Sequence, residues 1–408
     1  MIEFIYFLTI VFIYSLISRR LDTIPLTPQM IFIIAGLILG SGFLGIINLN
    51  SDPGLVLFIA EITLVLVLFS DATRIRIKDL KNNNLTIRLL SVGLTLTIIS
   101  GIALATILFT DLSIWEAAII GAVLAPTDAA LGQVVVENEK LPLFIRETLE
   151  VESGLNDGLA VPFLLLFLAW SIAEETFSPV GFFIITTLEQ IGFVVVVGLV
   201  IGILGGWLVY NAQKNHWMTE TFQRISLIAL AIITWLLADQ LGGSGFIAAF
   251  VGGLAAGYML KDKLKNFIRF TDAEGQLLNL FVFFLLGFII FPLIPDITWQ
   301  IILYAILSLT VIRMLPVAIS LIGSKLKKET VLFMGWFGPR GLASIVLILL
   351  AVEKQISFPG EETLILTVFT TVLFSVFLHG ITASPLANLY ANFLKSDNDC
   401  RERCFENE

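Results

Sequence analysis

Runs of apolar residues, most of them near 20 long, follow one another along the whole chain, separated by short polar segments. That length is the length of a membrane-spanning helix, which needs ~20 residues to cross ~30 Å of hydrocarbon. Strands of a membrane barrel would be short and alternating, whereas these runs are long and continuous. Thirteen stretches can be placed, at 2–18, 29–48, 54–70, 86–109, 115–136, 146–171, 180–210, 223–241, 243–259, 272–293, 297–322, 330–353 and 361–390. The pattern predicts an all-α polytopic membrane protein with 13 transmembrane helices.

Two stretches are interrupted at their centres: the fifth by Ala125-Pro126-Thr127-Asp128 and the twelfth by Gly338-Pro339-Arg340-Gly341. Proline removes a backbone donor and clashes with the preceding turn, and glycine weakens the helix further. Parity gives these breaks a relation. The first six stretches start on one side of the membrane and the last six on the other, with the seventh between them, so two six-helix units would be inverted repeats. The fifth member of each unit then carries a break. Paired interrupted helices point to a transporter binding site, and unwound backbone at that depth requires protein or a water-filled cavity around it.

Composition agrees with this picture: 57% of the 408 residues are hydrophobic and 14% are charged, against ~25% charged in an ordinary soluble domain. The formal net charge of −9 says less than its placement. With the N-terminus outside, 21 of the 24 Lys and Arg fall at cytoplasmic ends or loops, as the positive-inside rule requires. Lys354, Arg313 and Arg340 are the exceptions. Met1-Ile2-Glu3 lacks a basic leader and Arg19-Arg20 follow the first run, so that run reads as a retained helix. Residues 1–390 are expected to form a single membrane transport domain, with 391–408 a short cytoplasmic tail. Cys400 and Cys404 in the tail read as ordinary reduced thiols.

The chemistry concentrates in Glu152-Ser153-Gly154-Leu155-Asn156-Asp157, inside the sixth stretch. An ionisable group at mid-bilayer is costly and calls for a partner and a role. Asp157 lies 11 residues into its stretch, Thr127 12 residues into the fifth and Arg340 10 into the twelfth. At ~1.5 Å per residue these depths are about 16, 18 and 15 Å, all near the midplane. Ser153 and Asp157, four apart, share one helix side; Glu152 and Asn156 share the next. Asp157 and Ser153 offer oxygens suited to a small hard cation, with a backbone carbonyl near Thr127 as a third. Glu152 needs a counter-charge, and Arg340 is expected to supply it at the same depth, leaving Asp157 as the titrating group. A lone Ser or Asn in a membrane helix is ordinarily packing glue, but this many ionisable groups at one depth favour a site. Asp128 beside a break is open between a helix cap and direct participation.

The remaining intramembrane polar groups are read as structural. Glu61, Glu189 and Arg313 each need a partner that sequence does not assign, with Arg313 a second candidate for the core. His379 is read as a satisfied packing residue in preference to a pH sensor, and His216 as a loop residue. Gly36/Gly40, Gly198/Gly202 and Gly253/Gly257 allow helices to approach closely.

Glu-Ser-x-x-Asn-Asp at 152–157, Ala-Pro-Thr-Asp at 125–128 and Gly-Pro-Arg-Gly at 338–341, together with the number and order of the stretches, resemble the sodium/proton antiporters of the NhaP and sodium/hydrogen exchanger type. The resemblance implies a homodimer with a dimerisation domain and a six-helix core, crossed broken helices and elevator-like alternating access. It implies cation ligation by Asp157, Ser153 and backbone near Thr127, a Glu152–Arg340 ion pair, and support from Asn156. Asn-Asp rather than Asp-Asp implies electroneutral one-for-one exchange. Asp71 falls where the family commonly carries glutamate; one methylene shorter, it is equally an interfacial acid beside Arg74 and Arg76.

The resulting expectation is a secondary sodium/proton antiporter in the plasma (inner) membrane, N-terminus outside and C-terminus cytoplasmic, surrounded by membrane lipids. It is not an enzyme, has no cofactor beyond the transported Na+ and H+, and has no nucleic-acid partner. A potassium/proton antiporter of the same architecture is the nearest alternative. A cation channel is disfavoured because two broken helices around one carboxylate do not make a selectivity filter, and an aspartyl protease using Asp128 and Asp157 lacks its signature.

Overall fold

The computed structural model describes residues 2–21, 26–40, 43–45, 53–75, 84–175, 180–260, 265–353 and 359–396. Arg76, Lys78, Lys81, Lys261, Lys263, Lys354, Cys400, Arg401, Arg403 and Cys404 lie outside them. Every described element is helical: α1 (Ile2–Leu21), α2 (Pro28–Leu39), α3 (Pro53–Arg74), α4 (Asn84–Leu108), α5a (Ile114–Val123), α5b (Ala129–Val136), α6 (Leu143–Glu175), α7 (Val180–Lys214), α8 (Glu220–Gln240), α9 (Gly245–Leu260), α10 (Lys265–Leu293), α11 (Trp299–Ser320), α12a (Lys328–Trp336), α12b (Leu342–Glu353) and α13 (Glu361–Ser396). Helix lies on each apolar stretch anticipated from sequence. Among the described residues, seven helices are both long and apolar enough to cross a membrane: α4, α6, α7, α8, α10, α11 and α13.

Local chemistry sets several boundaries. Thr27 caps α2 by accepting from Met30 N–H, with Pro28 at the first helical position, where its missing donor costs nothing. Ser113 and Glu116 form a reciprocal capping box at the start of α5a. Glu116 is buried, and its other oxygen accepts from Gly360 N–H at 2.8 Å, which ties the start of α5a to the start of α13. Two irregularities have no Pro or Gly at their start. A π-turn at Leu89–Gly93 interrupts α4, and Thr310 (φ −107, ψ −88) interrupts α11.

The helices pack in two groups. α1–α3 and α7–α10 contact chiefly one another, as do α4–α6 and α11–α13. Close approach within the first group depends on small residues: a side chain at Gly36 would overlap the Phe284 carbonyl of α10, and one at Gly257 the Thr73 carbonyl of α3. α3 and α7 meet α6 across the boundary between the groups.

Candidate functional site

The fifth and twelfth helices are broken where the sequence places Pro and Gly, and the two breaks lie against each other. Asp128 N–H donates to Pro339 O at 2.7 Å. The guanidinium of Arg340, fully buried, donates through Nη1 to Ala125 O (2.5 Å) and Pro126 O (2.8 Å), satisfying carbonyls freed by the break in α5. Ser344 Oγ donates to Val123 O at 2.7 Å, so α12b also closes the last turn of α5a.

Asp128 caps both half-helices. Its Oδ1 accepts from Ala130 and Leu131 N–H at the start of α5b (2.8 and 3.2 Å), and its Oδ2 from Leu342 N–H at the start of α12b (2.8 Å). Carboxylates suit helix N-termini, where free N–H groups and the helix dipole both favour negative charge. The last glycine of the Gly-Pro-Arg-Gly motif has its reason here, because a Cβ on Gly341 would overlap the Asp128 carboxylate. Gly341→Ala is therefore expected to destabilise the folded protein by about 2–4 kcal/mol, as the sum of a disturbed cap and an overpacked core. Thermal unfolding of the purified protein in detergent checks this; an unchanged melting temperature would contradict it.

α6 approaches the same breaks. Asn156 holds Thr127 at two points: Oδ1 accepts from Thr127 N–H (3.1 Å) and Nδ2 donates to Thr127 Oγ1 (2.8 Å). Ser153 Oγ lies 3.0 Å from Thr127 Oγ1. One helical turn beyond Ser153, Asp157 is buried at 6% exposure, and its Oδ1 has no hydrogen-bond partner among the described residues. Asp157, Asp128 and Asp71 line one cavity of about 1170 Å3, bounded also by Ser70, Gly154 and Leu342. The cavity lies between the two helix groups and extends to the helix ends that carry Arg74, Asn84 and Arg88. Asp71 packs against Gly154, with Arg74 Nε 4.0 Å from its Oδ1.

Glu152 does not pair with Arg340. Its carboxylate takes a bidentate pair from Arg313 on α11, Nη1 to Oε1 at 2.6 Å and Nη2 to Oε2 at 2.9 Å, with both side chains 4% exposed. Arg313 reaches it past Gly338, where any side chain would overlap its guanidinium. Sequence supplied the depth of Arg340 but not the direction in which it points, and Arg340 is occupied by the carbonyls of α5. The signal for Arg313 was present in the cost of an arginine inside the eleventh stretch.

Around Arg340 the twelfth helix is clasped by α13. Arg340 N–H donates to Ser375 Oγ (2.6 Å), and His379 Nε2 lies 2.9 Å from Trp336 O, the last carbonyl of α12a. His379 Nδ1 is 3.0 Å from Ser375 O, and Trp336 Nε1 donates to Thr382 Oγ1 at 3.0 Å. His379 is thus a buried histidine in which an Nε2–H tautomer donates to Trp336 O while Nδ1 accepts from the Ser375 hydroxyl, 3.2 Å away. Ser344 and Ser375 were not marked by sequence, since a hydroxyl in a membrane helix ordinarily bonds its own backbone. Glu189 lies exposed on α7, whereas Glu61 is half-buried on α3.

The family profile described as sodium/hydrogen exchanger, transmembrane, matches residues 7–389. The Na(+)/H(+) antiporter ApNhaP of Aphanothece halophytica is 31% identical over 393 residues, covering 90% of this chain and 70% of that protein. The K(+)/H(+) antiporter NhaP of Alkalimonas amylolytica is 28% identical, covering 91% of this chain and 63% of its own length. The chain therefore spans roughly two thirds of such relatives. The structure of the sodium proton antiporter MjNhaP1 from Methanocaldococcus jannaschii at pH 8 superposes with a TM-score of 0.76 at 23% identity, covering 93% of this chain and 99% of that one, which is a likeness of fold.

Proposed function

The chain belongs to the sodium/hydrogen exchanger family, and on that premise we propose that it is a secondary sodium/proton antiporter in which Na+ and H+ compete for Asp157. It is an integral membrane protein, and its relatives are transporters, not enzymes. The observation that carries the proposal is the placement of Asp157: a buried carboxylate whose Oδ1 has no hydrogen-bond partner among the described residues, lining a cavity beside two helix breaks that touch each other. Asn156 and Ser153 support it by fixing Thr127 in the break. In this scheme the cation is held by Asp157, Ser153 and backbone near Thr127, with Asp71 on the approach, and Asp128, Glu152 and Arg340 are structural.

Either ion neutralises Asp157. The group α4–α6 and α11–α13, carrying a neutralised site, then moves past the other group in an elevator-like step, while the empty charged site is held back by the cost of exposing its charge to hydrocarbon. Exchange is obligatory because the two ions compete, and Asn at position 156 leaves one titrating carboxylate and so one proton for one sodium. Thirteen crossings as two inverted six-helix repeats about α7 accommodate both broken helices. The clustering of Lys and Arg supports an N-terminus outside and a tail inside, an orientation in which the cavity past Arg74 and Arg88 opens to the cytoplasm. The plasma membrane, a homodimer and pH homeostasis complete the proposal, with no cofactor beyond the transported ions and residues 1–390 acting as one transport domain.

The test is a vesicle assay in which Na+, Li+ and K+ are added in turn while a pH-sensitive dye reports the lumen and a potential-sensitive dye reports net charge. Sodium-driven pH change without net charge movement is expected. Exchange driven by K+ and not Na+ would transfer the assignment to potassium, the ion in the name of the Alkalimonas relative. Current without proton coupling would indicate a channel.

A further inference from the structure

α10 is apolar from Leu280 to Leu293, yet just before that segment it turns three different residues toward the cavity. Gly275, Gln276 and Asn279 all line the space that Asp71 and Asp157 line from α3 and α6. Gln276 and Asn279, three apart, share a helix side. Gln276 is exposed, and a Cβ on Gly275 would meet nothing within 4 Å, so this turn of α10 borders open space. Asn279 lies deeper, 3% exposed, and its Oδ1 has no hydrogen-bond partner among the described residues.

A buried amide oxygen without a partner is unfavourable, and leucine would fill the position without that cost. The same condition holds at Asp157 Oδ1, in the wall of the same cavity. The two oxygens belong to opposite helix groups, Asn279 to α1–α3 with α7–α10 and Asp157 to the other. A cation travelling from the mouth at Arg74 and Arg88 must shed water before it reaches Asp157. An amide oxygen is a suitable intermediate ligand: it accepts a hard cation, carries no charge, and so binds too weakly to trap the ion. It also takes up no proton, so it favours the cation over its competitor.

We propose that Asn279 is an oxygen station for the transported monovalent cation on the α10 wall of the cavity, and thus a residue that sets apparent cation affinity. This inference rests on the antiporter reading. The test measures initial rates in vesicles against Na+, Li+ and K+ concentration for the wild type, Asn279→Leu and Asn279→Asp. The leucine variant, close in volume but without the oxygen, is expected to raise the half-saturating Na+ concentration about 3- to 10-fold, the equivalent of one hydrogen-bond-sized contact, with the maximal rate kept to within about twofold. The aspartate variant keeps an oxygen and adds charge, so its half-saturation is expected at or below that of the wild type. A solely structural Asn279 would lower folded yield and rate without moving half-saturation, and that outcome in Asn279→Leu overturns the proposal. If Asn279→Leu does not fold, a half-saturation for Asn279→Asp above that of the wild type overturns it as well. A wild-type protein that exchanges none of the three cations overturns the antiporter reading itself, whereas active wild type with an unshifted Asn279→Leu overturns the station alone.

Discussion

Asp157→Asn is expected to abolish cation-driven proton movement in vesicles, to the level of protein-free leak, while the protein remains folded. The substitution keeps the size and shape of the side chain and removes both its charge and its proton. Asp157 Oδ1 makes no hydrogen bond among the described residues, so replacing the carboxylate breaks none there. Neutralising a buried group without a bonded counter-ion does not destabilise the fold in the way that orphaning a charge does. Activity and stability should therefore separate. Asp128→Asn is the control that makes the separation meaningful. Both oxygens of Asp128 accept backbone N–H groups, from Ala130, Leu131 and Leu342. An amide nitrogen cannot accept, so one set of these bonds is lost and stability falls by about 1–3 kcal/mol. Two aspartates in one cavity thus predict two different failures, one of transport alone and one of transport through folding. Exchange at the wild-type rate in Asp157→Asn would sink the site assignment, and loss of folding in that variant would place Asp157 among the structural acids instead. The measurement pairs the pH-dye assay with thermal unfolding in detergent for both variants.

Depth along each helix could be deduced from the sequence, and rotation about each helix could not. Proline and glycine at positions 126, 338, 339 and 341 announced the breaks, because together in the middle of an apolar run they deprive a helix of donors and of stiffness at one point. The count of residues from each stretch's start then put Thr127, Asp157 and Arg340 at one level, and the structure brings their neighbourhoods together. The partners within that level depended on which way the side chains point. Arg340 turns to the carbonyls of Ala125 and Pro126, and Arg313, entering from α11 past Gly338, takes Glu152. The interruption of α11 at Thr310, three residues before Arg313, has neither Pro nor Gly to announce it. Asp128 was undecided between cap and ligand because either use needs an acid beside a break; three backbone donors make it a cap. Asn279 went unremarked because a single amide near the end of an apolar stretch looks like an interfacial residue until the cavity is seen.

Arg313→Met is expected to cost about 3–5 kcal/mol of stability, because it leaves the Glu152 carboxylate buried with its bidentate partner gone. The distances, 2.6 and 2.9 Å on parallel bonds with both side chains 4% exposed, make this a desolvated pair and not a surface contact worth a few tenths. Glu152→Gln should be the milder change, since an amide still offers one oxygen to the guanidinium. The decisive variant is the double, Glu152→Leu with Arg313→Met, in which no charge is left without its partner. Replacing both members of a buried pair by apolar residues of similar volume is often neutral or stabilising, so the double variant should recover most of the stability lost by Arg313→Met. The difference between the double variant and the sum of the singles measures the coupling. Arg340→Met offers the contrast. Its guanidinium serves carbonyls of α5, so removing Glu152 should not rescue it, whereas an ion pair between Glu152 and Arg340 would make the two substitutions compensate. Glu152 lies five residues before Asp157 on α6, and the pair braces that helix against α11 at the break of α12. Neither side chain lines the cavity that Asp157 lines, so a folded double variant should still exchange sodium for protons. Thermal unfolding of the purified variants gives the stabilities, and the vesicle assay on the double variant separates a brace from a participant: a stable double variant without exchange would make the pair part of transport.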